Sequence, residues 1–149
     1  MENVLIRSAK SMDIPLILGL LYELGRPRAK KDSDADIFTK LVKKYLKDSD
    51  KEILIAENND SKIVGMVSIV LLLRLNQTEN EMYIPELVVF KNFQKRGVGK
   101  KLMESCIKLA KEKKCHRIRL ESGNSRKGSH IFYKKLGFIQ NSFSFIKGM

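Results

Sequence analysis

Apolar residues follow two spacings along this chain, and each switch between them marks a boundary between elements. Val4 to Arg7 reads as a short opening strand. Ile14, Ile17, Leu18 and Leu21 then recur at i, i+3, i+4 and i+7, the spacing of one helix face. Ser11 can cap that helix, Asp13 suits its positive first turn, and Pro15 lies where a missing N–H costs little. Gly25 and Pro27 stop it. After the basic stretch Arg26 to Lys31, Ser33 or Asp34 can cap a second helix with Phe38, Leu41, Val42 and Tyr45 on its apolar face. Branched residues then dominate Glu52 to Glu57 and Lys62 to Leu73, and Asn58-Asn59-Asp60-Ser61 between them is turn chemistry. A fourth strand is predicted over Met82–Phe90. A long helix over Gly97–Lys113, a strand over Arg117–Glu121, a helix over Arg126–Leu136 and a last strand over Phe143–Lys147 complete the chain. The order β-α-α-β-β-β-α-β-α-β is α/β with a mixed sheet, hairpins before residue 90 and crossover helices after it.

Composition narrows the class. With 149 residues, 43% hydrophobic, the chain suits one domain, 1–149, with a packed core and no need of a disulfide or metal staple. Cys106 and Cys115 read as reduced thiols, and with two histidines and no second ligand pair a metal site is not expected. The longest apolar run, Ile63 to Leu73, falls well short of the roughly 20 residues a membrane helix needs, so it is expected as a buried strand. Asp13 interrupts the apolar start and no small-residue cleavage site follows, so a secretion signal is not expected either. A soluble cytoplasmic protein is the expectation. Lysine plus arginine is 29 against 17 acids, a formal net charge of +12, which suits an anionic partner: nucleic acid, membrane surface or a polyphosphate.

The stretch richest in chemistry is Gln94-Lys95-Arg96-Gly97-Val98-Gly99-Lys100-Lys101, where a loop becomes a helix. Glycines there let the backbone turn tightly, and first-turn amides with the helix dipole make a site for an anion such as a diphosphate. A P-loop fails, because Gln94 stands where its first glycine belongs and Lys101 where Ser or Thr belongs. The dinucleotide fingerprint fails at Leu102. What remains is Gln-x-x-Gly-x-Gly after a strand. On the loop alone, a glycine-softened entry into a lysine-faced helix explains it equally well.

A second segment, Ser122-Gly123-Asn124 followed by a helix carrying Phe132-Tyr133-Lys134-Lys135-Leu136-Gly137-Phe138, completes a pattern. Together these segments and the element order resemble the GCN5-related N-acetyltransferases, the GNAT superfamily. Pro85-Glu86-Leu87-Val88-Val89, the run Asn124-Ser125-Arg126 through Tyr133, and Gln140 to Phe145 look most like its aminoalkylphosphonate N-acetyltransferase group. The resemblance implies a sheet of six to seven strands with about four helices and a splay between the fourth and fifth strands. It implies acetyl-CoA as cosubstrate, a primary amine of a small molecule as acceptor, and dimers as a possibility. Leu87 and Val89 would pair with the pantetheine arm through their backbone groups, the amides of Lys95, Arg96, Gly97, Val98, Gly99 and Lys100 would hold the pyrophosphate, and Val88, Gln94, Asn124 and Tyr133 would complete cofactor binding. The acceptor would lie among residues 11–47 and 73–82. A protein or peptide acceptor on the same fold is the alternative. A nucleic-acid-binding module is a further one, but no aromatic-interleaved basic patch, zinc-finger spacing or recognition helix supports it, and no membrane partner is expected.

Two residues are candidates for proton transfer. Tyr133 is the candidate acid for the leaving thiolate; packing beside Phe132 is the competing explanation. Glu86 is the candidate base. Strand alternation puts Ile84, Glu86, Val88 and Phe90 on one face, so Glu86 is a carboxylate among apolar neighbours, which seldom occurs without a job or a partner. The competing explanation is a salt bridge to one of the many lysines. His130 is a reserve base, and Arg126 is either a solvated arginine or a contact to an anion. Pro85 cannot donate to a sheet ladder, so a bulge or interrupted pairing is expected beside it.

Overall fold

The two apolar spacings become helices and strands in the computed structural model, which describes residues 1–149. In chain order the elements are β1 (Val4–Ser8), a 3-10 turn (Ser11–Asp13), α1 (Ile14–Glu23), α2 (Asp32–Lys47), β2 (Lys51–Asn58) and β3 (Ile63–Leu72). Then follow β4 (Glu81–Ile84), β5 (Leu87–Val89), a second 3-10 turn (Lys91–Phe93), α3 (Val98–Glu112), β6 (Arg117–Leu120) and α4 (Lys127–Lys135). The chain divides into two units, Met1–Arg119 and Leu120–Met149.

The six strands form one sheet in the order β1-β2-β3-β4-β6, with β5 also on β3. The pairings of β1 with β2, β2 with β3, and β3 with both β4 and β5 are antiparallel. The apolar run Ile63–Leu72 is the central strand, as its composition requires. On one face, Ile14, Ile17 and Leu20 of α1 and Val42 of α2 pack over Ile53, Ile55, Met66 and Val88. Burying each large side chain contributes about 1.5–3 kcal/mol before entropy. On the other face, Gly65 points its absent Cβ at Leu102 of α3, 3.3 Å away. The stripe Val98, Leu102, Met103, Cys106 and Ala110 is that helix's buried side. At the β2–β3 turn, Asn58 accepts hydrogen bonds from the amides of Asp60 and Lys62, which closes the hairpin as expected.

Several expectations need correction. Neither Ser33 nor Asp34 is the cap of the second helix: α2 already begins at Asp32 after Lys31, and Asp34, inside its first turn, accepts the Lys30 amide at 3.2 Å. Ser11 does not cap the first helix: the Asp13 carboxylate accepts the Lys10 amide at 2.7 Å and pairs with Arg7, and a 3-10 turn precedes α1. Leu41 is exposed, because α2 turns Val42, Tyr45 and Leu46 toward the sheet instead. The strand predicted over Met82–Phe90 is broken at Pro85 and Glu86. Finally, Phe143–Lys147 forms no strand. Its alternation is real, but a strand exists only where a ladder is offered, and the unit Leu120–Met149 has none for it.

Candidate functional site

The break between β4 and β5 is a β-bulge. Val70 pairs with Tyr83 and Val67 with Leu87, so Ser68 and Ile69 face three residues, Ile84, Pro85 and Glu86. Proline supplies no N–H there, and the extra residue shifts the alternation by one. Tyr83 lies opposite Val70, on the face of Met66 and Ser68, so Ile84 points to the other face, away from Glu86 and Val88. The expected grouping of Ile84 with Glu86, Val88 and Phe90 is therefore wrong at Ile84, and the bulge is the reason.

The bulge also sets which backbone groups are open. The Glu86 carbonyl accepts from the Ser68 amide and the Phe90 amide donates to the Val64 carbonyl, so residues 86, 88 and 90 direct their backbone groups at β3. Leu87 and Val89 direct theirs to the opposite edge, where β5 has no strand neighbour. The Val89 carbonyl accepts from the Gln94 side chain at 3.0 Å. Val88, expected among the cofactor-binding residues, has its side chain in the core and its backbone on β3.

Glu86 sits on the bulge with two different partners. One carboxylate oxygen, Oε2, accepts from the Ser68 hydroxyl, which in turn accepts from the Glu86 amide at 3.0 Å. The other, Oε1, lies 3.2 Å from Nη2 of Arg26, which also donates to the Pro85 carbonyl. The ion-pair alternative is thus present, through an arginine of the α1–α2 loop rather than a lysine. Tyr45 of α2 donates to the Ile69 carbonyl at 2.8 Å. Burial pushes its phenol well above the ordinary value, and the charge of Glu86 pushes in the same direction. Ser68, Arg26 and Tyr45 were not singled out from the sequence. Ser68 carried a signal, since it is the one polar side chain in the apolar run Ile63–Leu73.

Beyond β5 the chain enters α3 through a left-handed cap. Gly97 has φ +84°, and Lys95 also adopts a positive φ of 59°. The Gln94 amide bonds the Lys91 carbonyl and the Lys101 amide bonds the Gly97 carbonyl. The amides of Lys95 through Lys100 have no such acceptor within the protein, which is the donor set a helix N-terminus offers to an anion. Charge around them is partly spoken for. Arg96 lies 3.4 Å from the Glu2 carboxylate and Lys100 lies 3.7 Å from that of Glu104. Gln94, expected with the loop, has its side chain spent on β5.

In the unit Leu120–Met149, α4 ends in a Schellman motif. Gly137 has φ +86°, its amide bonds the Lys134 carbonyl, and the Phe138 amide bonds the Tyr133 carbonyl. This folds Phe138 back against Tyr133, ring centroids 5.8 Å apart, while Phe132 meets the same ring at 5.2 Å. The Phe-Tyr-x-x-x-Gly-Phe marker is thus a helix-capping device that clamps a tyrosine between two phenylalanines. His130 Nε2 is 2.9 Å from the Gly123 carbonyl, which ties α4 to the preceding loop. Asn124 is exposed in that loop, and Arg126 is the residue before α4.

Comparison with known proteins agrees with this architecture. Residues 19–138 match the model of the acetyltransferase (GNAT) family. A structure from Bacillus halodurans C-125 described as a transcriptional regulator superposes with a TM-score of 0.87 at 24% identity, covering 99% of this chain and 100% of that one. Glucosamine-6-phosphate N-acetyltransferase from Arabidopsis thaliana gives 0.80 at 23% identity, over 99% of both chains. An aminoglycoside acetyltransferase from an uncultured soil metagenomic sample gives 0.82 at 20% identity, over 98% and 96%.

Proposed function

Because this chain belongs to the GNAT acetyltransferase family and so transfers acetyl to an amine, we propose that it acetylates the primary amine of a small acidic molecule, an aminoalkylphosphonate or a similar compound, with acetyl-CoA as cosubstrate. In this reading residues 1–149 work as one catalytic domain. The observation that carries it is the bulge at Ile84–Glu86, which opens the edge of β5 and holds a carboxylate beside it. Leu87 and Val89 then serve the pantetheine arm through their outward backbone groups. The amides of Lys95 to Lys100 take the diphosphate, and Asn124 contributes a side-chain amide.

Attack is direct, with no acetyl-enzyme: no cysteine lies at 82–100 or 122–138, and Cys106 is fully buried. An amine of pKa about 10.4 is mostly protonated at pH 7, and supplying its free base costs roughly 4.6 kcal/mol. Glu86 is the group that accepts this proton, directly or through water. The leaving thiolate takes a proton from Tyr133. A phenol near pKa 10 and a thiolate near 8.5 make this transfer uphill by about 2 kcal/mol before the site's field acts.

The acidic acceptor is supported by Arg26. Its guanidinium already stands at Glu86, and Arg28, Lys30 and Lys31 follow within the same loop. An amine placed at Glu86 with an anionic group at this loop satisfies both signs of charge. The acceptor in the name of the Arabidopsis neighbour, a sugar amine bearing a phosphate, has the same pairing of groups.

The test is thiol release from acetyl-CoA across 2-aminoethylphosphonate, amino acids, polyamines, aminoglycosides and peptides. Acidic amines are expected to lead. Tyr133→Phe should lower kcat while CoA affinity holds, and Glu86→Gln should lower the rate with recovery as pH approaches the amine's own pKa. Full activity in Tyr133→Phe removes the acid role, and an unchanged pH profile in Glu86→Gln removes the base role.

A further inference from the structure

The face of β3 that carries Met66 and Val70 also carries Ser68, which is 2% exposed. A hydroxyl there forgoes the packing that an apolar residue would give. It serves Glu86 directly: it accepts from the Glu86 amide and donates to Oε2, while the Ser68 backbone amide donates to the Glu86 carbonyl. One residue therefore grips the backbone and the carboxylate of the bulge together. Its single proton goes to Oε2, so Oε1 is the oxygen left facing Arg26 and solvent-side chemistry.

We propose that Ser68 is a positioning residue that fixes the Glu86 carboxylate in one orientation, with Oε2 held and Oε1 presented to the amine; this rests on the reading of Glu86 as the base. Without the hydroxyl, the carboxylate turns toward Arg26 and the Glu86 amide loses its acceptor. Tyr45 reaches the Ser68 hydroxyl with its phenol from the other side. Its proton is committed to the Ile69 carbonyl, and its phenol stays neutral because burial disfavours the phenolate, so it offers Ser68 no competing anion. A purely structural alternative exists: Ser68 satisfies the bulge amide and nothing more. That alternative lowers stability without touching the rate.

The experiment uses Ser68→Ala, Ser68→Thr, Glu86→Gln and the double variant Ser68→Ala/Glu86→Gln in the full chain. Thiol release from acetyl-CoA is followed with the fastest amine of the panel above, CoA affinity by calorimetry, and folding by circular dichroism. Ser68→Ala should lower kcat by roughly ten- to a hundredfold, the scale on which a misplaced reacting group is felt, with CoA affinity within about twofold of the parent. Ser68→Thr, which keeps the hydroxyl, should recover most of the rate. The double variant should be no slower than Glu86→Gln alone, because the hydroxyl acts only through that carboxylate. If Ser68→Ala does not fold, Ser68→Cys keeps the volume with a weak donor and should be slow in the same way. A parental rate in the serine variant, or effects that multiply in the double variant, overturns the positioning role. A parental rate in Glu86→Gln overturns the base reading first, and failure of every amine overturns both.

Discussion

Glu81 offers the sharpest test of how the sheet is held around the site. It is 0% exposed at the start of β4, and each carboxylate oxygen has its own guanidinium from β6. Arg117 lies 2.6 Å from Oε2 and Arg119 2.6 Å from Oε1. Burial pushes this carboxyl up, but hydrogen bonds from Arg119 and Arg117 outweigh burial and hold it below its ordinary value. Glu81→Gln removes the charge, keeps one acceptor and turns an NH2 group onto a donor. Breaking a buried pair costs about 3–5 kcal/mol. The arginines are 48% and 36% exposed, and Arg119 also stacks on Tyr83 at 4.6 Å, so both retain other stabilisation. That favours the low end, about 3 kcal/mol, which for a chain of this size is roughly 6–12 °C in melting midpoint. The folded carboxyl titrates below the unfolded one, so its contribution is complete above the unfolded value of about 4.3 and is lost as pH falls through the folded value. Thermal unfolding by circular dichroism at pH 7 and below pH 4 reads both effects. The gap between parent and variant should be wide at pH 7 and should narrow in acid. A gap under about 2 °C at pH 7, or one that does not change with pH, would refute the argument.

Two other perturbations follow from local geometry. Gly97→Ala places a Cβ 2.8–2.9 Å from the Met1 side chain in a residue with φ +84°, which costs about 1–2 kcal/mol of backbone strain; calorimetry should show CoA binding weakened about tenfold if the loop relaxes, and unchanged affinity would mean the 95–100 amides are not its diphosphate site. Cys106 is buried, its thiol pushed up to about 12 chiefly by burial and further by the charge of Glu52, whereas Cys115 is only half-buried. A disulfide reagent at pH 8 should therefore label Cys115 readily and Cys106 only after unfolding, and equal rates would contradict the packing of α3.

What the sequence revealed and what it hid divide along a physical line. Patterns that depend on one element read well: the buried run of β3, the amphipathic stripe of α3, the Asn58 turn and the glycine cap at Gly97 each follow from local spacing or backbone freedom. Pro85 announced an interruption because a missing N–H is a property of the residue itself. The phase shift that follows was not legible, since it depends on β3 spending two residues against three, and pairing register is a property of two strands. The same reasoning explains the last strand: Phe143 and Phe145 alternate correctly, yet nothing in their own sequence says whether a partner edge exists. At the site, Glu86 stood out as a lone acid among apolar neighbours, while Arg26, Tyr45 and Ser68 come to it from three separate elements. Only Ser68 had a local clue, a hydroxyl inside an otherwise apolar run. A polar residue breaking a strand that is buried on both faces therefore deserves the same scrutiny as a charged one, because the fold must supply it with a partner and that partner is where chemistry is held.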